Sequence, residues 1–343
     1  MKVLFIGDCH IKINRFDLGL RFLDWLNKLI EEQKPDLVVN LGDFFDTHGV
    51  LRSEITTEFM NHVDKVLKLN IPYVYVLGNH DCYKPSDSKY HAVKNLVNKI
   101  PNLHIIDEPT NLFGMSFVPY FYNPDEFPTN LLPVCVAHQT FFGADYGPVT
   151  AKDGVDPARL INCEIVISGH IHKRQQLAPV TTGPTIHYVG SPFSQSAGDV
   201  DQVKGISIFD MDTYQETFIS CPLPAWRRLS TVVSVSTSIE DVHNMVEQYV
   251  SNSKDHWVIE LEGPKAEIVS YLSTEKYKKA IEGVDVKVKT TFTDKEKKKV
   301  SIEAKSMESI ISDYVVKVYS GSLDKKELLS IAKTVLNDIK EQG

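Results

Sequence analysis

Residues 36–42 read DLVVNLG, and Asp43 follows at once. A short apolar run that closes on glycine and then a carboxylate is the signature of a buried strand whose next residue leaves the sheet. The pattern also occurs earlier, at 2–7 (KVLFIG, then Asp8), and later, at 72–78 (PYVYVLG, then Asn79). Two segments with helical spacing lie between these runs. One carries Phe22, Trp25, Leu26, Leu29 and Ile30 within 16–33; the other carries Ile55, Phe59, Val63 and Val66 within 53–69. Strand, helix, strand, helix, strand predicts a parallel sheet with helices laid over it.

Beyond about residue 100 the texture changes. Short strand candidates at 103–107, 115–120, 133–138, 164–169, 185–190, 205–210 and 215–220 are divided by loops containing Pro, Gly and Asn. They suit a second sheet packed on the first, so residues 1–222 read as one two-sheet α/β domain. Cys221-Pro222-Leu223-Pro224 reads as a linker. After it, 229–236, 239–250, 257–262, 265–282 and 284–292 alternate strand and helix, predicting a smaller α/β domain over 225–298. The remaining 299–343 reads as mostly helical. Its apolar stripe within 323–340 leaves two readings open, packing on its own chain or filling a partner's helix groove.

The 343 residues are 42% hydrophobic and 24% charged, enough to bury a core. No apolar run reaches the roughly 18–20 residues of a membrane-spanning helix, so no membrane partner is expected. The first residues read as a strand and not as a signal peptide. Five cysteines without a CxxC suit reduced thiols and a cytoplasmic location. A net charge of −8 argues against a general nucleic-acid binder, although bound cations would offset acidic ligands.

Five short motifs stand where predicted strands end: Asp8-Cys9-His10, Gly42-Asp43, Gly78-Asn79-His80-Asp81, Ala137-His138-Gln139 and Gly169-His170-Ile171-His172. Ligands of open α/β sheets bind beyond the carboxyl ends of strands. Carboxylates and imidazoles without cysteine suit first-row divalent ions and not a structural zinc site. Any one motif alone would pass for structure; all five in order, each after a strand, point to a divalent-metal centre. Glycines before Asp8, Asp43, Asn79 and His170 are expected to supply sharp turns.

In this order the motifs resemble the signature of the calcineurin-like metallophosphoesterase superfamily: DxH, GD, GNH(D/E), H and GHxH. The resemblance implies a two-sheet sandwich flanked by helices. It assigns one metal to Asp8, His10, Asp43 and His172, and a second to Asp43, Asn79, His138 and His170, with Asp43 bridging. His80 would protonate the leaving oxygen, and Asp81 would orient that imidazole or a neighbouring ligand. Gly42-Asp43-Phe44-Phe45-Asp46-Thr47, Tyr188-Val189-Gly190-Ser191-Pro192 and the run from Asp199 to Lys204-Gly205 further resemble the SbcD-type nuclease subunit of the SbcCD DNA break-repair complex. Phages encode compact members of that family. It implies manganese, exonuclease and hairpin endonuclease action on DNA ends and single strands, repair and recombination, and a capping role for 225–298. It also implies a homodimer and a coiled-coil ATPase partner docked on the 299–343 helices, in a bacterial cell or phage-infected cytoplasm. The alternative is a small-molecule phosphodiesterase or phosphatase. Leu77 and Asp81 replace the Arg and Glu that flank the same motif in phosphoprotein phosphatases.

Other candidates read more plainly. His48 is expected to be a solvated loop histidine, and Cys9 a packing residue. Asp46 and Thr47 could reach the site or cap the following helix. His187 stays open between core packing and lining the cleft. Tyr120, Phe121 and Tyr122 are read as core or loop anchors, with base stacking the sharper option. The lysine-rich run at 295–299 is read as a solvated face.

Overall fold

The computed structural model describes residues 1–48, 50–147, 149–179, 182–234, 236–293, 324–325 and 328–330. Met1–Thr293 form one compact unit and Asp294–Gly343 a second. The lysine run and most of the predicted helical segment 299–343 lie outside the described residues.

Six strands form the first sheet, in the order Gln215–Ser220, Gly205–Asp210, Lys2–Ile6, Leu37–Asn40, Tyr73–Val76, Leu103–Ile106. The last four run parallel, and Gly205–Asp210 closes antiparallel on Lys2–Ile6. The second sheet orders Gln175–Leu177, Thr185–Tyr188, Ile165–Gly169, Val134–His138, Met115–Val118, Thr110–Leu112. Its four central strands are parallel.

Between the sheets, Val3, Phe5, Val39, Val74 and Val76 meet Met115, Phe117, Val136 and Ile167 in an apolar layer. The opposite face of the first sheet is covered by helices Phe16–Gln33 and Ser53–Lys68, whose Phe22, Leu26, Ile30, Phe59 and Val63 pack on Leu4, Ile6, Val38 and Tyr75. Burial on both faces explains why Lys2–Ile6 and Leu37–Asn40 are near-continuous apolar runs.

The predicted grouping of strands is corrected in one respect. Residues 103–106, 205–210 and 215–220 join the first sheet and not the second. Strand order is set by crossovers and edge pairing, which a list of short apolar runs does not encode.

A third, all-parallel sheet of Trp226–Val232, His256–Gly263 and Val286–Phe292 follows, with its own apolar core around Val242, Val246, Ile259, Leu261 and Ile268. Ser238 opens helix Ile239–Tyr249 with a reciprocal capping box to Asp241. The single helix predicted over 265–282 is two, Lys265–Ser273 and Glu275–Ala280. Thr274 between them is extended, and its side chain caps the second through Tyr277 N.

Candidate metal centre

All seven predicted ligands come together where parallel strands of the two sheets end. Asp8 and His10 follow Lys2–Ile6, Asp43 follows Leu37–Asn40, and Asn79 follows Tyr73–Val76. His138 is the last residue of its strand, and His170 and His172 follow Ile165–Gly169. The backbone of the first two loops is laced together by His10 N to Asp43 O (2.9 Å) and Ile11 N to Phe44 O (2.9 Å).

The left-handed conformations fall mainly on the ligands themselves. His10, Asp43 and His170 have φ of 39°, 50° and 79°, whereas of the four preceding glycines only Gly42 is left-handed, at 97°. Such a conformation costs a non-glycine residue roughly 1–2 kcal/mol and persists only where the surroundings over-determine it. The other glycines are there for space: a Cβ on Gly78 would stand 2.2 Å from Asp43 Oδ1, and one on Gly7 would stand 2.0 Å from Gly190 O. The sequence reading of sharp turns at all four is thus replaced by close backbone approach at three.

Two donor groups share Asp43. In the first, His10 Nε2 lies 3.0 Å from His172 Nε2 and 3.6 Å from Asp43 Oδ2, with His172 Nε2 3.7 Å from Asp8 Oδ2. In the second, His138 Nε2 lies 3.3 Å from Asp43 Oδ2 and 3.1 Å from Asn79 Oδ1, which is 2.8 Å from His170 Nδ1. Ligands about 2.0–2.2 Å from a common ion, at angles of about 90–115°, are spaced about 2.8–3.7 Å apart, so the donor spacing fits a divalent cation in each group. The His10–His172 pair adds to the fit: two imidazole nitrogens face each other where a hydrogen bond can use only one proton.

Charge points the same way. Burial alone would lower the basicity of His138, but Asp43 and Asp8 raise its pKa to about 9, so the carboxylates hold a proton on a fully buried imidazole. Burial pushes Asp8 up, whereas the neighbouring histidines hold Asp43 well below the usual carboxylate range despite its burial. Burial lowers His10 and His170 to about 3, leaving their lone pairs free to bind metal. His138 donates Nδ1–H to Leu41 O (2.6 Å), which aims Nε2 inward, where a bound cation would take the place of the second proton.

His80 is half-buried at the rim. Its backbone N–H reaches Asp43 Oδ1 (2.8 Å) and its Nδ1–H donates to Asp46 O (2.9 Å), leaving Nε2 to exchange protons. Asp81 is buried beneath. It accepts from Gly78 N and Asp43 N (both 2.9 Å) and from Tyr75 Oη (2.7 Å). Of the two roles expected for Asp81, the geometry supports steadying a ligand's backbone; Asp46 O is what orients His80.

One reading of a neighbouring residue changes, and two left open are decided. His48 is a half-buried turn residue stacked on His80 with centroids 4.3 Å apart, and not a freely solvated one. Asp46 reaches the site, its carbonyl accepting from His80 and its carboxylate 3.9 Å from His10 Nδ1, while helix Ser53–Lys68 starts without a side-chain cap. His187 packs on Phe209 at 5.4 Å, on the core side of its open choice. A loop position two residues beyond Asp46 carries no periodic signal, so only the His48–His80 spacing in three dimensions could reveal it. Tyr120, half-buried, tilts over His170 at 5.5 Å, at the edge of the centre.

The chain is also similar to known proteins. The family model for calcineurin-like phosphoesterases matches residues 1–174. Exonuclease subunit 1 of Enterobacteria phage T4 is 23% identical, covering 92% of each chain. The SbcD component of the SbcCD nuclease from Staphylococcus epidermidis is 25% identical over 68% of this chain and 72% of its own, and its counterpart from Bacillus subtilis is 20% identical over 100% and 99%.

Proposed function

The chain belongs to the calcineurin-like phosphoesterase family, and from that premise we propose that it is a metal-dependent DNA nuclease subunit working on two divalent ions, manganese by preference. Asp8, His10, Asp43 and His172 would hold one ion; Asp43, Asn79, His138 and His170 would hold the other. The observation that carries this reading is the pair of donor groups meeting at Asp43, with spacings suited to one cation each. When bound, such ions activate water for in-line attack and offset charge on the phosphoryl oxygens.

The protein's own groups do the rest. Asp43 is held in place from behind by Asp81 and His80 N. Its negative charge and that of Asp8 set the field in which a phosphodiester must be accompanied by cations. His80, with Nδ1 committed to Asp46 O, carries a proton on Nε2 to the leaving oxygen. Nuclease relatives that match nearly the whole chain support DNA as the substrate and a role in break processing and recombination. By the same likeness, an ATPase partner and a second copy of the chain are expected to complete the working assembly, with 225–298 placing DNA ends.

The test is digestion of linear duplex, single-stranded and hairpin DNA by the purified chain, with bis-p-nitrophenyl phosphate in parallel and Mn²⁺ varied. Shortening of DNA that requires Mn²⁺, and that falls by about 10²–10⁴ in His80→Ser with metal content unchanged, is expected. Turnover of the small diester with DNA left intact would sink the nuclease reading and leave a small-molecule phosphodiesterase.

A further inference from the structure

Behind the Asp8–His10–His172 group the chain from Ser191 to Lys204 makes a buried polar knot. Lys204 is 7% exposed, and the three protons of its Nζ are shared among four acceptors: His172 O, Ser191 Oγ and Asp199 Oδ1 (each 2.7 Å) and Gln202 Oε1 (2.9 Å). The other oxygen of Asp199 accepts from Gln195 N (2.8 Å) and Ser196 N (3.0 Å). Gln195 in turn donates its side-chain amide to Cys9 O (2.7 Å), between Asp8 and His10. One knot thus grips the main chain at both ends of the first donor group.

The grip falls where it is needed. His138 and His80 are each aimed by a carbonyl on Nδ1. His172 is half-exposed, and among the described residues its ring is bonded only through the Nε2 that faces His10 and Asp8. Its aim must come from its main chain, and its carbonyl accepts from Lys204 Nζ and Ser191 N (3.0 Å). A buried lysine needs a strong reason, because desolvation of an ammonium is costly unless it is paired and fully hydrogen-bonded. Here the pairing with Asp199 neutralises the charge, so the ammonium can stand behind a cation site as a donor without adding net repulsion.

We propose that Lys204 is a positioning residue for this donor group: tied to Asp199, it fixes the His172 carbonyl and so the aim of the His172 imidazole. The proposal rests on the two-ion reading above. Its rival is that the ion pair serves stability alone, and the double variant Lys204→Met/Asp199→Asn separates the two. It removes both charges together, so neither is left buried and unpaired; Ser191 N still reaches the His172 carbonyl, and the Asn oxygen keeps an acceptor for Gln195 N and Ser196 N.

Mn²⁺ titration read by electron paramagnetic resonance, with a thermal melt beside it, is the measurement. The wild type is expected to pass from a single-ion signal to an exchange-coupled pair. In the double variant the melt should stay close to the wild type, while the coupled pair should need about 10–100-fold more Mn²⁺. Ser191→Ala, which leaves no buried charge, should shift the same step by a few-fold, and it decides alone if the double variant does not fold. A coupled pair at wild-type concentrations in the variants overturns the positioning role only. A wild type that never forms the pair overturns the two-ion reading and this role with it.

Discussion

Histidines are buried both at the strand ends and beneath the helices, and the two settings differ. At the strand ends, buried His10 and His138 and half-buried His170 surround Asp8 and Asp43. Under the helices, His62 is buried just as deeply, with Nδ1 on Asn27 Oδ1 (2.7 Å), its ring edge-on to Tyr73, and Nε2 without a partner among the described residues. Burial lowers His62 to about 3, the same as His10 and His170. Burial and lost basicity are therefore common to site and core. What marks the site is convergence: several donors from different strands aimed at one point, with carboxylates among them.

The contrast is open to attack. Asp43→Asn should abolish it at the centre, since both groups share that carboxylate. Turnover of bis-p-nitrophenyl phosphate is expected to fall by more than the roughly 100-fold that loss of a supporting partner costs, and metal analysis should find at least one ion missing. Full occupancy would contradict the bridging assignment.

His62→Leu should leave turnover unchanged and act on stability alone. The folded imidazole takes its proton only near pH 3, while the unfolded one takes it near the ordinary 6.5. Between those values the unfolded chain binds more protons, so stability falls as pH falls from about 6.5 toward 3, by up to about 1.4 kcal/mol per pH unit from this residue. Urea melts at pH 6 and pH 4 should show a smaller loss in the variant; an unchanged slope would mean His62 is not held neutral.

Tyr75 joins the two regions, packing under the helices while its hydroxyl donates to Asp81 and accepts from Phe44 N (3.3 Å). Tyr75→Phe is expected to cost about 1–2 kcal/mol in a melt and only a few-fold in turnover. Loss of activity as deep as in Asp43→Asn would make Asp81 part of the chemistry.

Much of this was legible in the chain. The ligands sit at strand ends because apolar runs closing on glycine set the ends, and seven polar side chains in that register had few other uses. Less legible was what lies one contact further out. His48 stacks on His80, and Asp46 gives its carbonyl, through loop geometry that periodicity cannot carry. The Asp199–Lys204 pair looked like a family-type run of letters until the fold put its ammonium on the His172 carbonyl. Strand order escaped for a similar reason: Leu103–Ile106 and Gly205–Asp210 flank the first sheet through pairings far apart in sequence, which local pattern does not specify.

His10 and His172 meet 3.0 Å apart across 162 positions of chain. Contacts so distant in sequence must close large loops before any attraction rewards them, which slows folding. A nascent chain therefore cannot own a complete centre until His172 has left the ribosome, and the bolt at Lys204 arrives later still. Ions taken up before then would meet half a cage, so assembly of the centre is expected among the last events of folding and not its seed.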